Sequence, residues 1–252
     1  AQKLPNPQTG RMDLLYELQE GEKSFIEKIE IQGNTKTRDR VIRRELAVSP
    51  GEIFDMVKVK LSAKRIEGMR LFEKVDTQPE PTDMPNGRNL VVSVEEKSTG
   101  KLSFGAGFST VDSILGFVEV AEENFDLFNP PWFRGDGQKL RLRISYGAVR
   151  QDYLLSFIEP WFLGKKLQLS TDFYHRNLGN QSLNDYYTQI QTGTRAALTR
   201  ALGSDYVRGT LSYTLENIGI LDVSPSAPKA IKGEEGWRLV SKVGTGLTYD
   251  SR

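Results

Sequence analysis

The stretch Gly105-Ala106-Gly107 is the part of the sequence that comes closest to a ligand-binding loop. A dinucleotide-binding loop needs a third glycine and a following helix, and a P-loop needs a Gly-Lys-Ser/Thr sequence. The residues that follow here, FSTVDS, have the pattern of a continuing strand and a turn. The sequence therefore does not predict a nucleotide site.

Few side chains are available for catalysis. The chain has no cysteine and His175 is its sole histidine, which excludes thiolate chemistry, disulfides and a two-histidine metal site. His175 falls in an alternating segment, and no nucleophile is paired with it, so we interpret it as an ordinary surface or interface residue. We expect no catalytic residues, no metal, no cofactor and no enzymatic activity.

An acidic cluster and a basic cluster each allow more than one interpretation. The acidic residues are suited to a hard cation, but they lack the spacing of a calcium loop, so we favour a solvated strand end. The basic residues lie on one helix face and suit acidic partners or lipid headgroups, although a solvated face is the favoured interpretation. The clusters comprise Glu119, Glu122, Glu123 and Asp126, and Arg38, Arg40, Arg43 and Arg44.

Composition narrows the class of protein. Lys and Arg number 34 against 33 Asp and Glu, so net charge gives no reason to expect a nucleic acid partner. No run approaches the ~18 apolar residues of a membrane helix, and a mean hydropathy of -0.45 is compatible with strands that alternate apolar and polar residues. The absence of cysteine fits a periplasmic protein. The chain starts at Ala1 without a charged-then-apolar leader, so we expect a processed or trimmed chain.

Residues 25–98 have the pattern of a small α+β domain. A β-prone segment from Phe25 ends at a Gly-Asn turn, and a short helix follows with Thr37 as its expected N-cap. A second helix starts near Asp55, and two strands complete a β-α-α-β-β order. The apolar residues of this second helix recur at helical spacing: Val59, Ala63, Ile66 and Met69. Upstream, RMDLLYELQEGE alternates like a strand without a partner, so we assign residues 1–24 to the end of a preceding domain.

From Lys101 onward the helical period gives way to strict alternation. Leu140, Leu142 and Ile144 share one face of a segment, while Lys139 and Arg141 lie on the other. About eight such segments occur, and several have ten or more residues. Strands of soluble domains have ~5–6 residues, whereas a tilted membrane strand needs ~9–11. We therefore predict an antiparallel transmembrane β-barrel over residues 99–252, with a soluble β-sandwich as the alternative.

The connections between these segments differ in character at the two ends. TVDS, GAVRQD, HRNLGNQSLND and a long loop around ILDVSPSAPKAIKGEEG fall at one end. NFDLFNPPWFRGDG, EPWFLG and RALGSD fall at the other, and four of their aromatic side chains suit a membrane–water interface. These residues are Trp132, Phe133, Trp161 and Phe162. The alternative is that they cover the edge of a soluble sheet.

Several motifs in one order resemble a known family. The stretch IEIQGNTKTRDRVIRREL, the Pro50-Gly51 pair, Phe72-x-x-Val75 and Val94-Glu95-Glu96 are followed directly by Gly100 and a glycine-rich strand. This order is similar to the last POTRA domain and the first barrel strand of the BamA-type outer-membrane assembly factors. EPWF at Glu159–Phe162 resembles an early turn of the same barrel.

The resemblance implies an outer-membrane protein with POTRA domains in the periplasm and a barrel of about sixteen strands. Only about the first eight are present here, so we expect residues 99–252 to be the N-terminal half of that barrel. A complete eight-stranded barrel is possible in principle. The implied function is assembly and insertion of other β-barrels, with unfolded outer-membrane proteins, accessory lipoproteins and the bilayer as partners.

The resemblance also implies where a client chain would bind, by strand addition to a sheet edge. The first barrel strand would form a lateral gate, through Lys101, Leu102, Ser103, Phe104, Gly105, Ala106, Gly107, Phe108 and Ser109. A POTRA edge strand would guide clients, through Leu71, Phe72, Glu73, Lys74, Val75, Asp76 and Thr77. Two alternatives stay open: a two-partner-secretion transporter of the same superfamily, and a soluble or pore-forming binding protein without insertase activity.

Overall fold

A computed structural model describes residues 2–6, 11–15, 22–109, 113–179 and 186–251 of the 252-residue chain. These residues form a two-stranded hairpin, a three-stranded α+β module and a larger antiparallel sheet, in that order along the chain. Parts of two expected connections, at 110–112 and 180–185, lie outside the described residues.

The N-terminal hairpin joins β1 (Gln2–Asn6) and β2 (Arg11–Leu15) in antiparallel register. The sequence predicts a strand at β2 but does not predict β1 as its partner. Pro5 lies in the middle of β1, and proline argues against a strand because it has no N–H to donate. Proline is tolerated on an edge strand such as this one, where that N–H needs no partner. The assignment of residues 1–24 to a preceding domain stays a prediction.

The α+β module has the predicted order. It comprises β3 (Phe25–Gln32), α1 (Asp39–Arg43), α2 (Met56–Gly68), β4 (Phe72–Pro81) and β5 (Gly87–Glu96). β5 is the central strand, parallel to β3 and antiparallel to β4. Parallel pairing of β3 with β5 requires a long crossover, and the two helices provide it.

The core of the module lies between the sheet and the two helices. The buried helix residues follow the predicted period, and they face the inward-pointing residues of β3 and β5. The fully buried apolar side chains include Ile26, Val41, Ile42, Val59, Ile66, Leu90 and Val92. Because each such side chain stabilises the fold by about 1.5–3 kcal/mol, this cluster gives the module a core of its own.

The two helices differ in how they are capped. Helix α2 starts near Asp55 as predicted, and Asp55 is its N-cap, since the carboxylate accepts hydrogen bonds from the N–H groups of Val57 and Lys58. The predicted cap Thr37 is wrong: the N-cap of α1 is Arg38, which has no side-chain capping bond. Thr37 instead forms hydrogen bonds with Glu96 and Asn124, which are distant in sequence.

The larger sheet contains eight consecutive antiparallel strands within the described part of the chain. Their lengths run from 10 to 18 residues, as expected for strands that cross a membrane at a tilt. They are β6 (Gly100–Ser109), β7 (Ser113–Phe125), β8 (Gln138–Gly147), β9 (Arg150–Glu159), β10 (Gln168–Leu178), β11 (Thr188–Leu202), β12 (Ser204–Leu221) and β13 (Gly236–Tyr249). A short helix, α3 (Lys229–Lys232), lies in the last connection.

The two faces of this sheet differ in polarity. We call the apolar face the outer face; one row across it joins Phe104, Val118 and Ile144. The opposite, inner face has charged and small residues; the neighbouring row joins Ser103 to Glu119 and Glu119 to Arg143. The alternation confirms the prediction of an antiparallel barrel-type sheet that is apolar on one face.

The strand connections also alternate as predicted. The loops at 126–137 and 160–167 and the turn at Gly203 lie at the end of the sheet nearest the α+β module. Over the described strands the sheet is open: β6 and β13 lie at its two edges and are not paired with each other. No helix in the described ranges is long and apolar enough to cross a membrane.

Replacing Ile66 by alanine tests the core of the module. We expect Ile66→Ala to lower the free energy of unfolding by about 2–5 kcal/mol, because the side chain is fully buried and truncation leaves a cavity. Leu61→Ala, on an exposed position of the same helix, is the control, with an expected loss of about 1 kcal/mol or less. Urea unfolding of residues 22–98, followed by circular dichroism, measures both. Equal losses would contradict this assignment of the core.

Candidate functional site

The first strand of the large sheet has one unpaired edge. β6 hydrogen-bonds to β7 along its whole length, and no other described strand pairs with its second edge. Its outer-face side chains are highly exposed: Leu102 is 68%, Phe104 80% and Phe108 78% accessible. Such an edge is a template for another extended chain. The side chain of Ser109 lies outside the described residues.

The inner-face residues of β6 are small or long and charged. Lys101 reaches Glu123 on β7, with 3.4 Å between its Nζ atom and a carboxylate oxygen. Ser103, Gly105 and Gly107 follow along this face. The proposed gate residues therefore lie on one continuous strand, as the sequence predicted.

The edge strand of the α+β module begins one residue later than expected. β4 runs from Phe72 to Pro81 and pairs with β5, and its other side faces no described strand. Leu71 lies before the strand and, like Phe72, is buried in the core, so it is not available at the edge. Glu73 and Lys74 are exposed, whereas Val75 packs against the core. Asp76 and Thr77 are half-buried.

The acidic cluster is neither a cation site nor a solvated strand end. Each carboxylate contacts a basic side chain, and no group of residues suited to a metal ion occurs in the described ranges. Glu122 pairs with Arg134 at 2.8 Å, and Glu123 with Lys139 at 2.9 Å. Asp126 is fully buried. The sequence interpretation was therefore wrong for this cluster.

Asp126 links the large sheet to the α+β module. A carboxylate oxygen of Asp126 lies 2.6 Å from a guanidinium nitrogen of Arg38, and the Arg38 backbone N–H donates to the carbonyl of Gly135 at 2.8 Å. Arg40 makes a similar ion pair with Asp136 at 2.7 Å. The favoured interpretation of the arginine face as solvated was wrong for Arg38 and Arg40, which dock on the 126–137 loop. It holds for Arg43, which is exposed and pairs with Asp39 in its own helix.

Two glycines make this docking possible. Gly135 has a φ of +123°, and a side chain there would come within 2.5 Å of the Lys36 carbonyl oxygen. A side chain on Gly137 would lie 3.0 Å from Val41 in helix α1. Glycine is therefore required for the close backbone approach between loop and helix.

A second contact joins helix α1 to the 160–167 turn. The indole N–H of Trp161 donates to a carboxylate oxygen of Glu45 at 2.9 Å, and the guanidinium of Arg44 lies 5.6 Å from the ring centroid. Burial lowers the pKa of Arg44, although nearby Glu159 and Asp136 act in the opposite direction. Trp161 thus has a protein partner at this end of the sheet, and its contact with a membrane interface stays a prediction.

The other three aromatic residues of the proposed girdle lie near this end of the sheet. Trp132 is 79% exposed. Phe133 stacks on Phe125 with 5.9 Å between ring centroids, and Phe162 begins a single 3-10 turn. Their contact with a membrane interface stays a prediction.

Glu96, at the end of β5, organises the loop that leads into α1. Its carboxylate accepts hydrogen bonds from the Thr37 N–H at 2.6 Å, the Thr35 hydroxyl at 2.8 Å and the Lys36 N–H at 3.0 Å. The Thr37 hydroxyl then accepts from the side-chain amide of Asn124 at 2.9 Å. A continuous chain of hydrogen bonds therefore runs from the module into the large sheet.

These bonds change the ionisation of Glu96. Partial burial on its own raises the pKa of the carboxyl, but the hydrogen bonds from Thr37, Thr35 and Lys36 stabilise the carboxylate and lower the pKa overall. A lowered pKa in the folded state means that ionised Glu96 stabilises the fold.

Sequence reasoning missed the residues that join the two parts. Asn124, Asp136 and Trp161 lie in stretches that looked like connections. The one available signal was Gly135-Asp136-Gly137, where two glycines around an acid indicate a tight approach. Their partners lie more than 85 residues earlier in the chain, and no local pattern indicates such pairs.

The architecture defines a class of protein: an α+β module docked to a long-stranded, membrane-type antiparallel sheet. Two family models match it in the same order. Residues 24–97 match the POTRA model, described as a surface antigen variable number repeat, and residues 133–252 match the Omp85 superfamily domain. The chain therefore carries a POTRA domain followed by an Omp85 superfamily domain, and the resemblance to BamA-type proteins is confirmed.

Curated relatives support this assignment. The chain is 29% identical over 240 residues to the outer membrane protein assembly factor BamA of Neorickettsia risticii, covering 94% of this chain and 31% of that protein. It is 30% identical over 197 residues to BamA of Neisseria meningitidis serogroup B, covering 78% of this chain and 24% of that protein. The chain thus spans about a third or less of the length of these relatives.

Solved structures show the same fold. BamA from Haemophilus ducreyi lacking POTRA domains 1–3 matches with a TM-score of 0.72 at 18% identity, over 99% of this chain and 48% of that one. CdiB from Acinetobacter baumannii matches less well, with a TM-score of 0.55 at 16% identity, over 91% of this chain and 44% of that one.

The lowered pKa of Glu96 predicts a pH dependence. Ionised Glu96 contributes stability above its unfolded pKa of about 4.3, and this contribution is lost as the pH falls through the lower folded pKa. Between about pH 5 and pH 3, the unfolding free energy of residues 22–98 should therefore fall more steeply in wild type than in Glu96→Gln. Urea titrations across this range measure it, with Glu95→Gln, on an exposed neighbour, as the control. Parallel curves for wild type and Glu96→Gln would contradict the role of these bonds.

The buried Arg38–Asp126 pair predicts coupling between module and sheet. We expect Arg38→Met to loosen the docking, because it leaves the Asp126 carboxylate buried without its cation, and Asp126→Asn added to it to restore part of the loss. Amide hydrogen exchange over residues 36–45 and 124–137 measures the docking. Arg43→Met is the matched control, since Arg43 pairs with Asp39 inside its own helix.

If Arg38→Met and Arg43→Met give equal exchange rates in both segments, the Arg38–Asp126 pair does not hold the module to the sheet.

Proposed function

We propose that this chain is the part of an outer-membrane assembly factor that receives unfolded β-barrel proteins and inserts them at the edge of β6. The observation that carries the proposal is the unpaired, highly exposed and glycine-rich edge of β6, directly after a docked POTRA domain. The names of its curated relatives support the same role. The chain is located in the outer membrane, with the POTRA domain in the periplasm.

The chemistry of insertion is backbone hydrogen bonding. In hydrocarbon, each unpaired N–H or C=O of an edge strand costs several kcal/mol, since no water can replace the missing partner. A client strand that adds to β6 satisfies its own backbone and that of β6 together. No covalent step is involved, so the protein is not an enzyme.

Two edges would act in sequence. β4 of the POTRA domain offers its outer side to an extended client in the periplasm, through Phe72 to Thr77. β6 then offers the gate in the membrane, from Lys101 to Ser109. The docked interface at Asp126 and Trp161 keeps the two edges in a fixed relation. Accessory lipoproteins and the bilayer are the further partners.

The proposal keeps the domain limits that the sequence predicts. Residues 1–24 end a preceding POTRA domain, residues 25–98 form the POTRA domain and residues 99–252 form the first half of a barrel. In the complete protein the last barrel strand would pair with β6 and close the ring. A client would then compete with that strand for the same edge.

A two-partner-secretion transporter is the second candidate, because a CdiB structure shares the fold. The two functions differ in the route of the client. A transported chain passes along the inner face of the sheet, whereas an inserted chain pairs with an edge on the membrane side. The names of the curated relatives favour the assembly factor.

Site-specific photocrosslinking in the complete protein tests the proposed route. With benzoylphenylalanine in place of Phe104, on the outer face of β6, we expect a stalled β-barrel client to be captured. Phe173 is the matched control, since it is also exposed on the outer face but lies on β10 in the middle of the sheet, and it should capture little. The measurement is the yield of client adduct per folded molecule.

A third position separates the two candidates. Ser156 lies on the inner face of β9, where its hydroxyl donates to Asp172 at 2.6 Å. If the client were captured by benzoylphenylalanine at position 156 but not at position 104, the proposal would be overturned and transport would be favoured. Equal capture at positions 104 and 173 would also overturn it.

A further inference from the structure

The register of β6 against β7 is weakly specified by composition. Glycine-rich strands that are exposed on both faces are prone to slip, since few side chains distinguish one pairing from another. From Lys101 to Phe108, each residue of β6 except Gly105 is exposed. The ion pair from Lys101 is solvent-exposed and contributes little. Something else has to hold this strand while its second edge exchanges partners.

Gly105 is half-buried because an aromatic ring from β7 lies on it. Gly105 and Phe117 are direct cross-strand partners. A Cβ atom built on Gly105 would meet Cε1 of the Phe117 ring at 2.7 Å and Cζ at 3.0 Å. A ring that rests on a glycine in this way replaces the side-chain packing that glycine lacks. Any larger residue at position 105 would displace the ring.

The ring is held from β8 as well. The guanidinium of Arg143 lies 4.5 Å from the Phe117 ring centroid, within the range of a cation–π contact. Arg143 is itself positioned by Glu119 at 3.5 Å and by Ser145 at 3.5 Å. Three adjacent strands are therefore connected through one ring near the middle of β6.

We propose that Phe117 is a positioning residue that seats on Gly105 and keeps β6 in a single register on β7 while its outer edge pairs with a client. This inference rests on the proposed function, since it concerns the strand that forms the gate. The register is defined at one end by the backbone pair of Ser109 and Ser113. Phe117 fixes it further along, where the strand is otherwise held by backbone hydrogen bonds.

Gly107 provides an internal comparison. It lies on the same inner face of the same strand, but a Cβ atom there would meet nothing within 4 Å. If β6 occupied a second register, two residues away, Gly107 would take the place opposite Phe117 and would need to be glycine too. A single register therefore requires glycine at position 105 and not at position 107.

Client insertion by the complete protein tests this requirement. Gly105→Ala should slow insertion of a β-barrel client into liposomes by about fivefold or more, since overpacking of this size is costly. Gly107→Ala should slow insertion less than Gly105→Ala does, since a Cβ atom at position 107 meets no atom within 4 Å. Phe117→Ala should also slow it, and Gly105→Ala added to Phe117→Ala should cause no further loss, because the ring that clashes has been removed. Phe117→Tyr keeps the ring and should retain the wild-type rate.

A register measurement gives a readout that is independent of client insertion. Cysteines at Leu102 and Val120, which are cross-strand partners, should form a disulfide in wild type. Cysteines at Phe104 and Val120 report the two-residue slip that brings Gly107 opposite Phe117, and they should cross-link only after Phe117→Ala or Gly105→Ala. The rates are compared per folded protein, as judged by heat-modifiable migration in electrophoresis.

Two results would overturn the inference. One is a Gly107→Ala variant that slows client insertion as much as Gly105→Ala does. The other is a double variant, Gly105→Ala with Phe117→Ala, whose loss of rate equals the product of the two single losses. Failure of the proposed function is distinguishable from both. In that case position 104 captures no client, while the slipped disulfide still appears after Phe117→Ala.

Discussion

The backbone hydrogen bond between neighbouring strands is the interaction on which the rest of this structure depends. Within hydrocarbon a strand has no water to satisfy its N–H and C=O groups, so each strand must be paired on both sides or bear a large cost. Among the strands that the structure describes, β7 to β12 meet this condition, whereas β6 and β13 meet it on one side only. The unbroken pairing of neighbouring strands across the sheet follows from this requirement.

The POTRA domain is attached by side chains and loop backbone in place of strand pairing. The contacts lie at one end of the sheet, where Arg38 and Arg40 meet Asp126 and Asp136. A buried ion pair of this kind adds little net stability compared with an apolar contact, but it is costly to break on one side only. It therefore favours one orientation of the domain without the large apolar surface that a permanent interface buries.

The sequence was sufficient to predict most of the strands and helices and the polarity of each sheet face, because both depend on local periodicity. The period of α2 and the alternation in β8 are visible without any tertiary information. The contact between Thr37 and Asn124 could not be predicted, since it joins residues 87 positions apart and replaces a local cap that propensity favours. The same holds for Trp161, whose amphipathic ring suits a membrane interface and a carboxylate partner equally well.

The two glycines of β6 differ in their contacts with the neighbouring strand β7. Taken alone, Gly105 and Gly107 both weaken the strand through backbone entropy and lost packing. In the sheet they are unequal, because Phe117 covers one and nothing covers the other. Weakness is then confined to the edge that faces away from β7, while the edge towards β7 is reinforced by an aromatic ring and an arginine. The gate strand that we propose would need this asymmetry, since a strand that is loose on both edges would leave the sheet together with its client.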